Sequence, residues 1–112
     1  MAPSIDIETF KKISASRSAP ILLDVRRKAD YDQAPQVLPG ATWQDPQKID
    51  DWIQRLTPHS VIVSYCVKGG PASQSTVDRL QLEGFEATFL EGGFKAWVAG
   101  GNPVENVHPG AP

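Results

Sequence analysis

Cysteine is nearly missing from this 112-residue chain, with Cys66 the single example. One thiol excludes an internal disulfide and a cysteine cluster that could hold a metal. Histidine is almost as scarce: His59 and His108 stand far apart, with no ligand partner at metal spacing, so no metal is expected. No apolar run approaches the roughly 20 residues of a bilayer-spanning helix, which argues against a membrane partner. The opening stretch, MAPSIDIETFKK, lacks a charged segment followed by an apolar one. No secretory leader is therefore read, and the expected compartment is the reducing cytoplasm. Excess charge of one sign is absent too. Eleven Lys and Arg against 13 Asp and Glu leave a net −2, and the basic cluster Arg26-Arg27-Lys28 is too short to act as a binding tail. A nucleic-acid partner is not expected.

What is present fits one globular domain over residues 1–112: 40% hydrophobic and 21% charged residues, and enough length for one core. Asp6 caps a first helix carrying Ile7, Phe10, Ile13 and Ala15 at helical spacing, which Ser16, Ser18 and Pro20 end. Ile21-Leu22-Leu23, leading into Asp24-Val25-Arg26, reads as a strand buried on both faces. A short helix follows through Lys28 to Asp32, and Pro35 and Pro39-Gly40 then impose a loop. Asp45-Pro46 opens a helix that sets Ile49, Trp52, Ile53 and Leu56 on one face, and Pro58 stops it. Val61 to Tyr65, β-branched and aromatic, is a second strand. Val77, Leu80 and Leu82 mark a helix closed by a left-handed Gly84. Ala87 to Leu90 is a third strand, Gly92-Gly93 a turn, and Phe94, Trp97 and Val98 a last short helix. From Gly100 to the end, prolines and glycines suggest an irregular extension. Alternating strands and helices predict an α/β fold: a central, mainly parallel sheet of about five strands with helices on both faces.

Within that frame the segment VIVSYCVKGGPAS draws attention, because the lone thiol falls where a strand ends. Open parallel sheets build their sites at the carboxyl ends of strands. Gly69 and Gly70 are free to take positive φ, allowing a tight turn whose N–H groups face inward. Pro71 suits the first turn of a helix, so a positive helix end is expected beside the sulfur. Such surroundings favour the thiolate, and Lys68 adds a mobile cation. A lone cysteine is more commonly an inert core side chain; its placement at a strand end, with a lysine inside a glycine loop, favours a nucleophile.

Four motifs in order carry a resemblance that spans nearly the whole chain: Asp24-Val25-Arg26 after a strand, the turn Leu38-Pro39-Gly40-Ala41, Tyr65-Cys66 followed by a glycine-containing loop, and Leu90-Glu91-Gly92-Gly93-Phe94-Lys95-Ala96-Trp97. Together they resemble the rhodanese (thiosulfate sulfurtransferase) family. The resemblance implies that Cys66 takes a sulfane sulfur from a donor such as thiosulfate as a persulfide, and passes it to cyanide, a thiol or a partner protein. It further implies that the amides of Val67, Lys68, Gly69, Gly70 and Ala72 hold the anion, that Lys68 binds the donor, and that no cofactor takes part. Asp24 and Arg26 either brace the active-site loop or form an ordinary ion pair. Arg27 faces solvent or the donor, Trp43 is a candidate for the site mouth, and Ser73 and Ser75 lie near the thiol in a first helical turn. The chain departs from the family in lacking a histidine before Leu38 and an arginine at the loop's end. Alanine at position 72 removes the phosphate-gripping arginine of phosphatases that share the fold, which speaks against phosphatase activity. A sulfur-carrier or persulfide-sensing module, or a noncatalytic interaction domain, are the competing readings; the cysteine and lysine speak against the last.

Overall fold

The protein is described here by a computed structural model covering residues 2–17 and 19–106. Strand β1 (Ser4–Ile5) leads into helix α1 (Ile7–Ser14), where Asp6 accepts a 2.7 Å hydrogen bond from the Thr9 N–H. Strand β2 (Ile21–Asp24), helix α2 (Lys28–Gln33), and two short strands, β3 (Gln36–Val37) and β4 (Thr42–Trp43), follow. The helix expected after Asp45-Pro46 forms in three pieces: a 3₁₀ turn over Pro46–Lys48, α3 (Ile49–Trp52) and a second 3₁₀ turn over Ile53–Arg55. Its apolar face survives the breaks, with Trp52 and Ile53 buried. Strand β5 (Val61–Tyr65), α4 (Pro71–Leu82), β6 (Glu86–Leu90), α5 (Gly93–Ala99) and β7 (Glu105–Asn106) complete the described chain.

Five strands form one parallel sheet in the order β1-β6-β5-β2-β4. Period-two alternation splits its residues between two cores. Leu23, Val25, Ile62 and Ala87 pack against Trp52, Ile53, Val77 and Leu80 on one face. Leu22, Val63, Tyr65 and Leu90 pack against Phe10 and Trp97 on the other. Helices therefore cover both faces, as the continuous apolar runs of β2 and β5 require.

Several expectations need correction. The extension beyond Gly100 is not wholly irregular, because Glu105–Asn106 pairs antiparallel with Gln36–Val37; residues 107–112, His108 among them, lie outside the described residues. Leu82 does not join the core: it is 84% exposed, two residues past Leu80 and so turned away from the face that Val77 and Leu80 bury. Gly84 does take a left-handed φ of +92° after α4. One topological feature places the site. From β2 the chain moves outward to β4, whereas from β5 it moves the opposite way to β6. Connections from neighbouring strands thus diverge at the β2/β5 boundary, which opens a crevice at their carboxyl ends.

Candidate active site

Cys66 is the first residue after β5, and its side chain is 6% exposed. The chain then turns through Gly69, at φ +72°, before Pro71 starts α4. Gly70 is the N-cap of that helix with φ −90°, so the positive φ expected at both glycines occurs at Gly69 alone. The Gly70 N–H donates to Cys66 Sγ at 3.2 Å. Among the hydrogen bonds of the described residues, the amides of Val67, Lys68, Gly69 and Ala72 make none to sulfur. The cradle around the resting thiol is thus one amide and one hydroxyl: Cys66 Sγ also lies 3.2 Å from Ser73 Oγ.

The loop is held from behind by the Gly-Gly turn. The N–H groups of Phe94 and Lys95 donate to the carbonyls of Cys66 and Val67 at 2.8 and 2.9 Å. Gly93 is buried, at φ +59°, and a Cβ there would overlap the Cys66 carbonyl and come within 2.8 Å of Gly69 N and Val67 O. Glycine is required because two backbones meet at that point.

A cleft of about 390 Å³ opens above the sulfur. From the β2 side it is lined by Arg26, Arg27 and Asp30, and from the β5 side by Cys66, Val67, Lys68, Gly70, Pro71 and Ala72. Gly69 and Asp24 do not line it; Gly69 packs instead beneath the loop against Gly92 and Leu90. Arg27 and Lys68 are exposed and form no ion pair with another described residue. With Asp30 as the one free carboxylate and Arg26 neutralised by Asp24, the lining carries a small positive excess.

Asp24 and Arg26 are far more deeply placed than an ordinary surface pair, at 0% and 1% exposure. Arg26 Nε donates to both Asp24 oxygens at 3.1 and 2.9 Å, and its remaining nitrogens donate to the Ala34 and Gln36 carbonyls at 3.0 and 2.6 Å. The guanidinium lies 4.1 Å from the centre of the Phe94 ring. The Tyr65 hydroxyl donates to Asp24 Oδ2 at 3.0 Å and accepts from the Leu38 N–H at 3.1 Å. Burial pushes the Asp24 carboxyl upward, against the pull of Arg26 and the Tyr65 hydroxyl. Burial, joined by the Asp24 charge, likewise raises the Tyr65 phenol. Through this network the Asp-Val-Arg segment, the Leu-Pro-Gly turn, β5 and α5 are tied to one point.

Trp43 does not reach the mouth of the cleft. Its ring stacks on Tyr31 with centroids 4.6 Å apart, and its Nε1–H donates to the Arg26 carbonyl at 2.9 Å. Trp52 and Trp97 are core residues. Among the described residues no cluster of His, Cys, Asp and Glu suits a metal, and no helix is long and apolar enough to cross a membrane. The sequence reading missed Asp30 and Pro71 as lining residues and left Arg27 undecided; of the two serines it placed near the thiol, Ser73 is the one that contacts sulfur, a contact that requires the helix start to be fixed to within one residue.

The site is thus a crevice of a parallel sheet with a cysteine cradled at a strand end and a Gly-Gly turn bracing its loop. Residues 6–100 match the family model described as "Rhodanese-like domain", and the chain belongs to that family. Among curated proteins it is 31% identical over 94 residues to a tRNA 2-selenouridine synthase of Shewanella piezotolerans, covering 73% of this chain and 25% of that one. This chain thus spans about a quarter of that relative's length. Among solved structures, a Lactobacillus plantarum protein superimposes with a TM-score of 0.80 at 26% identity, over 92% of this chain and 87% of that one. A thiosulfate sulfurtransferase of Pseudomonas aeruginosa superimposes with a TM-score of 0.77 at 29% identity, over 95% of this chain and 20% of that one. Family membership and these likenesses support a role in sulfur transfer.

Proposed function

We propose that the protein is a sulfurtransferase in which Cys66 carries the sulfur as a persulfide, with thiosulfate as a donor and a thiol or cyanide as acceptor. The observation that carries this reading is the sulfur itself. It forms the floor of a cleft with two free cations, Arg27 and Lys68, on the rim and the Gly70 N–H at 3.2 Å. The Cys66 thiolate attacks the outer sulfur of thiosulfate. A bond forms between Sγ and that sulfur, the sulfur–sulfur bond of thiosulfate breaks, and its electron pair leaves with sulfite. Lys68 and Arg27 offset the dianion on arrival and the sulfite charge on departure, while the loop amides of Val67, Lys68, Gly69, Gly70 and Ala72 supply hydrogen bonds to the terminal persulfide sulfur as the loop adjusts around it. An acceptor thiolate or cyanide then attacks the terminal sulfur, and the electron pair of the breaking bond returns to Sγ. Asp24 and Arg26 support the loop's neighbour without touching the substrate.

With no second cysteine in the chain, discharge requires an outside acceptor. A carrier that hands sulfur to a partner protein is the alternative, favoured by the tRNA 2-selenouridine synthase relatives, of which a chain of this length is a fraction. Intact-mass measurement after thiosulfate treatment tests the chemistry. The protein should gain the mass of one sulfur, Cys66→Ser should gain none, and cyanide should reverse the gain while releasing thiocyanate. Sulfur retained on Cys66→Ser, or none on the parent, overturns the proposal. Rapid multiple turnover with cyanide supports the enzyme, and loading with slow discharge supports the carrier.

A further inference from the structure

Ser73 occupies the first turn of α4 and is wholly buried. A serine there usually caps the helix, but the cap position belongs to Gly70 and the Ser73 side chain turns elsewhere. Its oxygen lies 3.2 Å from Cys66 Sγ and 3.3 Å from the Gly70 carbonyl. The Gly70 N–H meanwhile donates to the same sulfur at 3.2 Å. Thiol, hydroxyl and the backbone of Gly70 thus close a small ring in which the hydroxyl has two possible acceptors, one of constant charge and one whose charge changes during catalysis.

We infer that Ser73 is a catalytic residue whose hydroxyl follows the charge on Sγ, an inference that rests on Cys66 being the sulfur-transfer nucleophile. In the resting thiol, S–H donates to Ser73 Oγ and the Ser73 O–H donates to the Gly70 carbonyl. When the thiol proton leaves through the cleft to solvent, the hydroxyl rotates about its C–O bond and donates to the thiolate; serine keeps its own proton throughout. Once the persulfide forms, Sγ is a neutral bridging sulfur and the negative charge moves to the terminal atom. The hydroxyl then returns to the Gly70 carbonyl. Attack by the acceptor breaks the Sγ–S bond, the electron pair lands on Sγ, and the hydroxyl swings back to stabilise the leaving thiolate. The rotation costs little because a good acceptor waits at each end, and one donor serves both half-reactions. A hydrogen bond to a charged partner is stronger than one between neutral groups, so the bond matters most in the thiolate states.

Alkylation of Cys66 by iodoacetamide reads this coupling without any sulfur donor. At about pH 6, Ser73→Ala should slow alkylation about ten-fold, and near pH 9.5 the gap should close. Ser73→Thr and Ser73→Val are nearly the same shape and differ in that valine carries a methyl where threonine keeps the hydroxyl. The threonine variant should remain the faster of the two at low pH, which keeps the test sharp even if alanine disturbs the fold. Cyanide discharge of the loaded protein should also slow about ten-fold in Ser73→Ala. Equal rates at low pH, a deficit of the same size at every pH, or no difference between threonine and valine would each overturn the role of Ser73. A parent protein that alkylates as expected yet gains no sulfur from thiosulfate sinks the sulfur-transfer reading instead, so the two failures are distinct.

Discussion

Two segments leave neighbouring strands and form the walls of the cleft, one running through Asp24-Val25-Arg26 after β2 and the other through Cys66–Ala72 after β5. The first is fixed by side chains: a buried ion pair, a tyrosine hydroxyl and two accepted carbonyls satisfy nearly every polar atom. The second is fixed by backbone, with Phe94 and Lys95 amides gripping the Cys66 and Val67 carbonyls from below. Side-chain locking spends the donors of Arg26 internally and leaves a ligand only the exposed Arg27 that follows. Backbone locking through carbonyls leaves the opposite edge of the same peptides, their N–H groups, available to an anion. The difference teaches which wall binds and which one braces.

The contrast breaks most severely at Asp24. Asp24→Asn leaves the Arg26 guanidinium buried without its counter-charge and should cost about 3–5 kcal/mol, read as a lower urea midpoint. Arg26→Met should cost less at low pH, because a carboxyl can discard its charge by taking a proton and a guanidinium cannot. The sign follows from burial, which already raises the Asp24 carboxyl above 3.8, its ordinary value. A raised carboxyl adds stability that is fully present below the unfolded value and lost as pH rises through the folded one. The Arg26→Met deficit should therefore widen from pH 4 upward, while the Asp24→Asn deficit should narrow, because the parent loses this contribution as pH rises and the asparagine variant has none to lose. A flat profile in both would mean that Asp24 stays charged in the methionine variant.

Gly93→Ala attacks the other wall. A left-handed φ costs an alanine about 1–2 kcal/mol, and the overlap with the Cys66 carbonyl adds to it. The loop must move to make room, so thiosulfate loading should fall by at least about ten-fold in protein that is still folded, since a shift of about 1 Å near a reacting atom has that scale of effect. Stability loss should be smaller than for Asp24→Asn and activity loss larger in proportion. Full loading at normal rate in a destabilised Gly93→Ala protein would show that the Gly-Gly turn supports the fold and not the loop.

These walls were unequally legible in the sequence. Ile21-Leu22-Leu23 and Val61 to Tyr65 announce buried strands because long apolar runs have few other uses, and the cleft at their ends follows from the fold class. The short strands Ser4–Ile5, Gln36–Val37, Thr42–Trp43 and Glu105–Asn106 do not announce themselves, since two residues hold no periodicity and their pairing depends on distant partners. Leu82 misled for a related reason: apolar character is local, but the face a helix buries is decided by where its neighbours pack. The depth of Asp24 and Arg26 was hidden because it is supplied by Tyr65, Phe94, Ala34 and Gln36, four residues from three separate segments. Ser73 could be read only as one of two serines near the thiol, beside Ser75, because reaching Sγ depends on the start of α4, and helix ends are the least certain part of any sequence pattern.

The smallest expected structural effect belongs to the rim of the binding wall. Lys68 is exposed and joins no ion pair among the described residues, so Lys68→Ala should change stability by no more than about 0.5 kcal/mol. Its charge faces the cleft, where a dianionic donor must enter, and the KM for thiosulfate should rise about ten-fold, with most of that increase vanishing at 1 M salt because exposed charges are screened within about 3 Å there. Iodoacetamide, which is neutral, should alkylate the variant at nearly the parent rate. Lys95 offers a matched control: it is exposed and its backbone holds the same loop, but its side chain does not line the cleft. If Lys95→Ala raises KM as much as Lys68→Ala does, the donor responds to the overall field of the surface, and the β5 wall contributes its amides and no specific cation.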